Sequence, residues 1–562
     1  MPHFREAPPA FVWFTSGMNA RSSAALLFVL VGCDAPTGSP NDAQSDAVAP
    51  IDAADAMHVT ASVVVTVDLA SSAGNVRDVV GVNKAPQTSD AKSGGNQYDL
   101  SAVYKALGVS QVRLHDGAID LCAIYKDAKI EDYASGTPVA VTTCTADTSG
   151  GVPHLKWTVN DASKVNDIAN YRFDELDRAL SAIVASGGKA YVRLGHNYNG
   201  VNDVGDTASW AKVATNIYKH VIGTFAPGAI KVEPQYVEVF NEPDGFFWVG
   251  AKADFFSLFN ATSDGVRAAA IAAGKTVTVG GPGFTTNYLT KVKTGSSTAN
   301  GFITAVSAER LDFFSVHSYD KCATATLLSG ETFLKRVRAE IDAEGLATKP
   351  MHITEWNIGL GQTCGETFYA TPQLQSYISG MLTLMQDTAY NIEVSNFYAG
   401  VPPMSPISVD KSKPGAVTLR PAAWSLWAHS KLRGGTRYAA QVCALSKCDA
   451  STTATGTVVT LSGTANGKKY AIVTNDTDTA IAFTLRVTNG ASSGKFTSYA
   501  PPQTAQTVVA TQSDKGYRVD DGAMSALITS VPRTEQTGVS VNGGLEVNSS
   551  LAARSIELVE LP

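Results

Sequence analysis

Two glutamates of the 562-residue chain stand in short polar motifs, each of which follows a run of apolar residues. Glu242 is the middle residue of the motif NEP, and Glu355 is the middle residue of the motif TEW. Between them in the sequence, His317 and Tyr319 flank a serine in the motif HSY. Two nearby carboxyl groups can act as general acid and nucleophile when one is protonated and the other is ionised. By itself NEP also suits a strand end with a turn proline, so the prediction depends on the three motifs meeting in space.

Eight β-rich runs, several of them followed by a helical pattern, recur between about residues 77 and 430. They begin at Val79, Gln111, Ala190, Tyr236, Thr276, Asp312, Met351 and Val394. Eight strand and helix units predict an α/β fold, namely a (β/α)8 TIM barrel with insertions. Catalytic groups of such barrels lie at the carboxyl ends of the strands. Glu242 ends the fourth run and Glu355 the seventh, so we expect them on opposite sides of one mouth.

Two carboxyl groups that face each other across a cleft are what glycoside hydrolysis requires. The motifs NEPD, GGPG, DFFSVHSY and HITEWN resemble the strand-end signatures of clan A glycoside hydrolases. They are most similar to those of glycoside hydrolase family 39, the family of β-xylosidases and α-L-iduronidases. The later segment LRPAAWSLWAHSKLRGG resembles the last barrel helix of that family. The resemblance covers the barrel and implies a retaining reaction on an oligo- or polysaccharide, without a cofactor or a metal.

The resemblance also implies roles for individual residues. Glu242 corresponds to the acid/base of the family and Glu355 to its nucleophile. Asn241 corresponds to the amide that binds the sugar 2-hydroxyl, a contact that tightens as an oxocarbenium ion develops. Tyr319 matches the phenol that would hold the nucleophile ionised and oriented, and His317 is the histidine of the same motif.

Further polar and aromatic side chains fall at predicted strand ends. His115 fits a histidine that contacts the glycone, although a core histidine bonded to a neighbouring strand is the alternative. His196 and Trp356 are further candidates for substrate binding. Arg113 is expected to be a buried ion-pair partner that orders the barrel mouth. The aromatic run of Phe246, Phe247 and Trp248 either stacks on sugar rings or packs in the core.

An insertion of roughly residues 118 to 170 lies between the second and third strands and carries aromatic residues, among them Tyr125, Tyr133 and Trp157. A loop at this place overhangs the active-site face and can set which glycone or aglycone fits. The leading interpretation is an exo-acting enzyme similar to β-xylosidases. An endo-acting clan A glycanase, which needs an open groove, and a non-catalytic carbohydrate-binding protein are the alternatives.

Beyond Gly434 the sequence changes to short alternating runs rich in Thr, Val, Ser and Gly, which predict an antiparallel β-sandwich. The run HVTASVVVTVDL before the barrel alternates in the same way, so we expect it to join that sandwich. The predicted segments are a signal peptide with lipobox (1–33), a disordered linker (34–57), a strand of the sandwich (58–76), the catalytic barrel (77–433) and the β-sandwich domain (434–562).

The amino-terminal segment predicts export. An arginine, a short apolar run and the lipobox-like sequence LVGC, which ends at Cys33, follow the order of a secretory signal. The acidic, Ala- and Pro-rich stretch after it predicts a flexible tether. We therefore expect a cell-envelope lipoprotein or a secreted protein, with membrane contact only through a lipid at Cys33.

The charge and the cysteines of the chain limit its partners and its compartment. Lys and Arg number 44 against 51 Asp and Glu, and no basic cluster suits nucleic acid. Of seven cysteines, six remain besides Cys33, an even number that suits an exported protein. Pairing by proximity in the sequence predicts three disulfides, although other connectivities are open: Cys122 with Cys144, Cys322 with Cys364, and Cys443 with Cys448.

Overall fold

The computed structural model describes most of the chain after residue 62. The described residues are 63–88, 98–115, 119–132, 138–139, 155–196, 203–245, 247–285, 301–322, 325–360, 363–409, 414–444, 447–450, 458–490, 492–513, 516–541 and 543–562. The predicted signal segment with Cys33, the tether and residues 58–62 lie outside these ranges. Within them, no helix has both the length and the apolar composition needed to cross a bilayer.

The first strand, β1 (Val63–Asn75), belongs to the C-terminal sheet, and the next eight labelled strands close into a barrel. The barrel strands are β2 (Gly81–Asn83), β3 (Gln111–Arg113), β4 (Lys189–Leu194), β5 (Tyr236–Val239), β6 (Thr278–Phe284), β7 (Phe314–Asp320), β8 (Met351–Ile358) and β9 (Ile392–Phe397). Each pairs in parallel with its neighbours in chain order, and β9 closes the ring on β2. The predicted TIM barrel is confirmed, with every strand inside or overlapping the run predicted for it.

The strand that precedes the first glutamate is shorter than its predicted run. The fourth run was expected to extend to Pro243, but β5 ends at Val239. Phe240 and Glu242 have φ values of +77° and +46°, which lie outside the conformations of a β-strand. The backbone therefore leaves the sheet just before the NEP motif.

Helices cover the outside of the barrel, and several begin at residues that satisfy their first N–H groups. The helices are α1 (Ser101–Leu107), α2 (Leu121–Ile124), α3 (Asp174–Ala185), α4 (Thr207–Val221), α5 (Lys252–Ala272), α6 (Phe302–Val306), α7 (Leu327–Ile341), α8 (Pro372–Leu384), α9 (Ala423–Ser430) and α10 (Asp521–Thr529). Asp206 caps α4 by accepting a hydrogen bond from Ser209 N at 3.0 Å. Gly187, with φ of +75°, follows the end of α3.

Shorter helical turns complete the connections between these elements. The turns of 3-10 helix are Ala162–Lys164, Ile168–Asn170, Ala308–Arg310, Glu366–Ala370 and Thr388–Tyr390. A π-helical turn, Asp342–Leu346, extends α7. None of these turns carries a predicted site residue.

The insertion after β3 contains a small sheet where the sequence interpretation expected a loop. In spatial order, the insertion supplies the strands Pro138–Val139, Ala128–Asp132 and Leu155–Val159, and the fourth strand, Asp203–Val204, comes from the chain after β4. Leu155 and Trp157 alternate with more exposed residues and are fully buried, which is the pattern of a half-buried strand. Tyr133 and Cys144 lie outside the described residues.

The C-terminal region is an eleven-stranded sheet that includes β1. Its other strands are β10 (Thr436–Ala444), β11 (Lys447–Ala450), β12 (Val458–Ala465), β13 (Lys468–Asn475), β14 (Ile481–Thr488), β15 (Lys495–Tyr499), β16 (Arg533–Thr537), β17 (Val539–Val541), β18 (Gly544–Leu551) and β19 (Ser555–Leu561). The strand order is β16-β15-β19-β13-β12-β10-β1-β14-β18-β17, and β11 pairs with β10. The predicted antiparallel C-terminal domain is confirmed, except that β1 runs parallel to β14.

Buried apolar side chains of this sheet pack against one another and form a core that is separate from the core of the barrel. Val63, Val65 and Val67 of β1 belong to it, because alternate residues of a strand face the same side. Two small three-stranded sheets connect the C-terminal region with the barrel. Their strands are Ile407–Val409, Ala416–Leu419 and Gln506–Val509 in one, and Tyr98–Asp99, Thr511–Ser513 and Gly516–Arg518 in the other.

One predicted disulfide is confirmed, the Cys322–Cys364 bond between the segments that follow β7 and β8. Cys122 and Cys443 are also disulfide-bonded. Because Cys144 lies outside the described residues, the Cys122–Cys144 pairing stays a prediction. The ladder of β10 and β11 places Cys443 opposite Cys448 in register, and that pairing stays a prediction as well.

Candidate active site

Arg113, the last residue of β3, is fully buried at the mouth of the barrel and contacts four polar side chains. Its Nε donates to Glu238 Oε2 at 2.6 Å, and its Nη1 donates to Asn83 Oδ1 at 2.9 Å and to Glu355 Oε1 at 2.7 Å. Its Nη2 donates to Asn241 Oδ1 at 2.7 Å. One guanidinium therefore joins the carboxyl ends of three other strands, β2, β5 and β8, and it is the buried ion-pair partner that the sequence predicted.

Glu355 is held as an anion by donors on three sides. Besides Arg113, His115 Nε2 lies 3.0 Å from its Oε1, and the Tyr319 hydroxyl donates to its Oε2 at 2.6 Å. Burial by itself would raise the pKa of this carboxyl, but His317, His115 and Arg113 outweigh burial and hold the pKa well below its usual range. Glu355 is therefore ionised at neutral pH.

Glu242 lies beside this anion and has the opposite tendency. Its backbone N–H donates to Gly283 O at 3.0 Å, and its Oε1 lies 2.5 Å from His317 Nδ1. Burial raises the pKa of Glu242, and the charges of Glu355 and Asp244 raise it further, while His317 opposes them. With 15% of its side chain exposed against 6% for Glu355, Glu242 is the more accessible of the two carboxyl groups.

His317 stands between the two glutamates. Its Nδ1 is 3.6 Å from Glu355 Oε2, and one oxygen of each glutamate together with a His317 ring nitrogen all lie within 4.8 Å of one another. Burial lowers the pKa of His317, but the charges of Glu355 and Glu242 outweigh it and raise the pKa. The pair of Glu242 and His317 therefore retains a proton next to an ionised carboxylate.

The early end of β5 explains how Glu242 reaches the mouth. Phe240 directs its ring away from the barrel axis, where it packs against Trp248 at 5.7 Å and Phe255 at 5.3 Å between ring centroids. Its left-handed backbone conformation, repeated at Glu242, turns the chain so that Asn241 contacts Arg113 and Glu242 contacts His317. Such positions cost about 1 to 3 kcal/mol each and need support from their surroundings, which the Phe240 contacts supply.

A β-bulge in β8 places Glu355. Ile353 and Glu355 pair with consecutive residues of β7, so Thr354 is the extra residue of the ladder. Thr354 donates to Glu238 Oε1 at 2.8 Å inside the barrel, and Glu355 also faces the interior. Strict alternation would have directed one of these two side chains outward.

Four predicted binding residues meet the glutamates in this cluster: Asn241, His115, His317 and Tyr319. Two do not. Trp356 is buried on the helix side of the barrel, with its ring 5.2 Å from that of Phe397 and 6.5 Å from that of Tyr377 of α8. It follows Glu355 in a strand and so points to the opposite face.

His196 is the other predicted residue that the structure keeps out of the cluster. Its Nε2 accepts a hydrogen bond from Trp210 Nε1 at 2.7 Å, and its Nδ1 lies 3.5 Å from Asp120 Oδ1. Since an indole N–H can only donate, Nε2 of His196 is unprotonated. These contacts tie the end of β4 to α4 and to the insertion. In the aromatic run, Phe246 lies outside the described residues and Trp248 packs in the core.

Three residues of the site were missed in the sequence, namely Asn83, Glu238 and Tyr398. Asn83 could have been found because it is a polar residue at the end of the first β-rich run. Glu238 could have been found because it is the charged residue in the otherwise apolar run YVEV. Tyr398 follows β9, and its ring makes edge contacts with His115 at 5.5 Å and with Tyr319 at 6.2 Å. Tyr398 therefore borders the cluster of site residues on the side of β9.

In the described part of the chain, Glu242, His317 and Glu355 are the group of acidic and histidine side chains close enough to share a metal ion. The oxygens of Glu355 already accept from Arg113, His115 and Tyr319. A guanidinium in direct contact opposes a second positive charge at the same carboxylate. The donors around Glu355 thus suit a free carboxylate anion better than a metal ligand.

Comparison with known families places the barrel among glycosidases. Residues 172–399 match the family model described as glycosyl hydrolases family 39. This range contains Glu242, Glu355 and the HSY motif. No curated protein matches the chain in sequence.

Solved structures of glycosidases share the fold. A glucosidase from Croceicoccus marinus is 15% identical over 88% of this chain and 98% of its own, with a TM-score of 0.59. A GH51 α-L-arabinofuranosidase from Thermotoga petrophila is 13% identical over 89% of this chain and 100% of its own, with a TM-score of 0.60. A GH39 β-xylosidase from Caulobacter crescentus is 16% identical over 89% and 99%, with a TM-score of 0.52.

Proposed function

We propose that this chain, a retaining glycosidase whose barrel belongs to glycosyl hydrolase family 39, removes terminal β-xylosyl or related residues from oligo- or polysaccharides by double displacement. In this proposal Glu242 is the acid/base and Glu355 is the nucleophile. One observation carries the assignment: carboxyl groups less than 4.8 Å apart at their nearest oxygens have pKa values displaced in opposite directions. Retaining glycosidases need such a close pair, one protonated and one ionised.

In the first step, Glu242 donates its proton to the glycosidic oxygen while Glu355 attacks the anomeric carbon. The bond from that carbon to the leaving group breaks, and an ester between Glu355 and the sugar forms. Asn241, which Arg113 orients through its Oδ1, presents its amide N–H groups to the 2-hydroxyl of the sugar. This contact would strengthen as charge develops on the ring.

The second step needs Glu242 to act as a base, and its surroundings supply the reason. The negative charge of Glu355 is one of the causes that raise the pKa of Glu242. Once Glu355 is esterified, that charge is gone and the pKa of Glu242 falls. Glu242 can then accept a proton from water, which attacks the anomeric carbon and releases the sugar with retained configuration.

The neighbourhood of the mouth favours exo action over endo action. The insertion sheet buries Trp157 against His196, with ring centroids 6.2 Å apart, and Asp203 of the same sheet lies against Gly250 behind the acid/base loop. We infer that this structure beside the mouth limits how long a glycan can lie across it. The name of the GH39 β-xylosidase from Caulobacter crescentus suggests the glycone. An endo-acting glycanase and a non-catalytic binding protein are the competing functions.

The test is a panel of nitrophenyl glycosides with the purified protein, followed by NMR of the first product. We expect release of nitrophenol from a β-xyloside or a related glycoside and a product of retained anomeric configuration. Activity on polymers alone would favour the endo-acting alternative, and an inverted product would contradict the nucleophile assignment. No hydrolysis anywhere in a broad panel would favour the binding-protein alternative.

We also propose that the protein is exported and anchored at Cys33 or secreted. The signal-like segment before Cys33 supports this proposal, as does the Cys322–Cys364 disulfide, since such bonds persist in oxidising compartments. Fractionation of cells that express the full chain, with a Cys33→Ala variant as control, tests it. Loss of membrane association in the variant is expected for a lipoprotein, and unchanged partition into the medium for a secreted protein.

A further inference from the structure

Glu238 is a carboxylate with no exposed surface, on β5, the strand that precedes the acid/base. Its Oε2 accepts from Arg113 Nε at 2.6 Å and its Oε1 from the Thr354 hydroxyl at 2.8 Å. It also accepts a hydrogen bond from Ser315, whose oxygen is itself an acceptor for Gly283 N at 2.7 Å. A fully buried carboxylate is costly unless it is paired and hydrogen-bonded, and here each oxygen has a partner from a different strand.

We propose that Glu238 is a positioning residue for the reaction, which fixes the guanidinium of Arg113 so that its other N–H groups are aimed at Glu355 and Asn241. The inference rests on the proposed roles of Glu242 and Glu355. Glu238 itself cannot reach a substrate, because Arg113 and Thr354 cover both of its oxygens and no part of its side chain is accessible.

The geometry of Arg113 supports this role. A guanidinium is planar, and its five N–H groups point in fixed directions. The contact from Nε to Glu238 fixes the rotation of that plane, so Nη1 and Nη2 are directed at Glu355 and Asn241 at 2.7 Å each. Without the Nε partner the guanidinium plane can turn about the Cδ–Nε bond, and both contacts lengthen.

The charges point to the same role. Arg113 contacts two carboxylates, Glu238 and Glu355, so its single positive charge is shared between them. If Glu238 were neutral, the whole charge would act on Glu355. A carboxylate stabilised more strongly as an anion is a weaker nucleophile, because more of that stabilisation is lost when the ester forms.

Several charged or titratable groups surround these two carboxylates and bear on any pH dependence. Glu355 faces Arg113, His115, His317, Tyr319 and Glu242. Glu238 faces Arg113, and the charge of His317 also acts on it. Tyr191 interacts through its charge with both Glu238 and Arg113. Removing the negative charge of Glu238 makes the surroundings of Glu355 more positive, so the pKa of Glu355 falls further.

The experiment compares Glu238→Gln with the wild type on an aryl glycoside that the wild type hydrolyses. We expect kcat to fall about tenfold or more with a smaller change in KM, because a transition-state contact is misaligned. The acid limb of the pH profile of kcat/KM should move to lower pH. Glu393→Gln is the matched control, since Glu393 also bonds an interior side chain of the barrel, His352, but at the opposite end.

A purely structural role predicts a different result. Glu238→Gln would then lose folded protein or thermal stability while the remaining enzyme kept the kcat and the acid limb of the wild type, and this would overturn the inference. If the wild type hydrolyses no glycoside, the proposed function fails instead, and the two failures are thus distinguishable.

A second variant covers the case in which Glu238→Gln does not fold. Thr354→Val keeps the shape of the side chain and the charge of Glu238 but removes the hydroxyl donor to Oε1. We expect a smaller drop in kcat, about threefold, because the carboxylate retains Arg113 but is less well fixed. A Thr354→Val enzyme with wild-type kcat would contradict the positioning role.

Discussion

Two fully buried histidines lie on adjacent strands at opposite ends of the same barrel, and their pKa values are displaced in opposite directions. His317, at the carboxyl end of β7, has its pKa raised because Glu355 and Glu242 outweigh its burial. His352, near the amino end of β8, has its pKa lowered because burial outweighs its contact with Glu393. The second histidine also bonds the Tyr191 hydroxyl at 3.1 Å and stacks on Phe313 with ring centroids 3.9 Å apart.

The difference between the two ends lies in the number and the burial of the carboxylates. Glu393, 3.2 Å from His352 Nε2, is 42% exposed, so water screens its charge. Glu242 and Glu355 are at most 15% exposed and act on His317 together. The barrel thus has a proton-retaining end and a neutral aromatic end, which agrees with the general division between a catalytic face and a stabilising face.

Removing the anion at the carboxyl end of the barrel should have the largest effect on activity. Glu355→Ala should abolish turnover of every glycoside, with a loss of roughly 10⁴-fold or more, because no ester intermediate can form. Steady-state rates on an aryl glycoside give the loss. Circular dichroism must show a wild-type fold, and a variant that keeps more than a few per cent of the activity would disprove the nucleophile role.

Removing the acid at the same end should have a smaller and more selective effect. Glu242→Ala should slow substrates with poor leaving groups by about 10² to 10⁴-fold, but spare the first step for activated aryl glycosides. Such a substrate should show a burst followed by slow turnover. Added azide needs no general base, so it should restore the rate and give a β-glycosyl azide from a β-glycoside.

The rescue by azide also tests which glutamate is the acid/base and which is the nucleophile. NMR of the azide product establishes its configuration, and Glu355→Ala serves as the matched variant. Rescue of the Glu355 variant but not of the Glu242 variant would mean that the acid/base and the nucleophile have been exchanged in our assignment.

Much of this arrangement was predictable from the sequence, because period-two alternation survives in most strands. The motif HSY places His317 and Tyr319 two residues apart, so both face the interior. The eight runs likewise predicted the barrel and its mouth. The errors concern two predicted binding residues, Trp356 and His196, and the backbone at Glu242.

The two wrong residues have different causes. Trp356 follows Glu355 in β8, so alternation from an interior Glu355 already directs Trp356 to the helix side. The direction of His196 depends on Trp210, a residue of a helix that packs from outside the barrel. Positive φ at Glu242 could not be read from the sequence either, since glutamate seldom adopts it.

Replacing each of the two histidines by glutamine should affect the two ends of the barrel differently. His317→Gln removes a charge that lowers the pKa of both Glu242 and Glu355, so both limbs of the kcat/KM profile should move to higher pH. We expect kcat to fall by about 10 to 100-fold, because the proton shared with Glu242 is lost.

His352→Gln should leave both limbs in place and lower the free energy of unfolding by about 2 kcal/mol through lost packing. Equal shifts in both variants would contradict the division into two ends.

The smallest expected effect is on the pH dependence of stability, and it has opposite signs at the two ends. A histidine with a lowered pKa binds its proton more readily in the unfolded chain, so its contribution to stability is lost as pH falls below the unfolded value of about 6.5. A histidine with a raised pKa stabilises the fold below that value and loses its contribution as pH rises through the folded pKa. His352→Gln should therefore flatten the acid-side decline of the melting temperature. His317→Gln should flatten the decline above pH of about 6.5.

A third histidine supplies the control for this last measurement. His429 is buried beside Ser379, whose hydroxyl lies 3.0 Å from its Nε2, and burial lowers its pKa to about 3. No carboxylate is among the causes of its shift, so His429→Gln should flatten the acid-side decline as His352→Gln does. Melting temperatures of the three variants and the wild type between pH of about 4 and 8, at constant ionic strength, make the comparison. If His317→Gln also flattened the acid-side decline, its pKa would be lowered rather than raised, and the carboxylates at the mouth would not hold the charge that the proposed reaction requires.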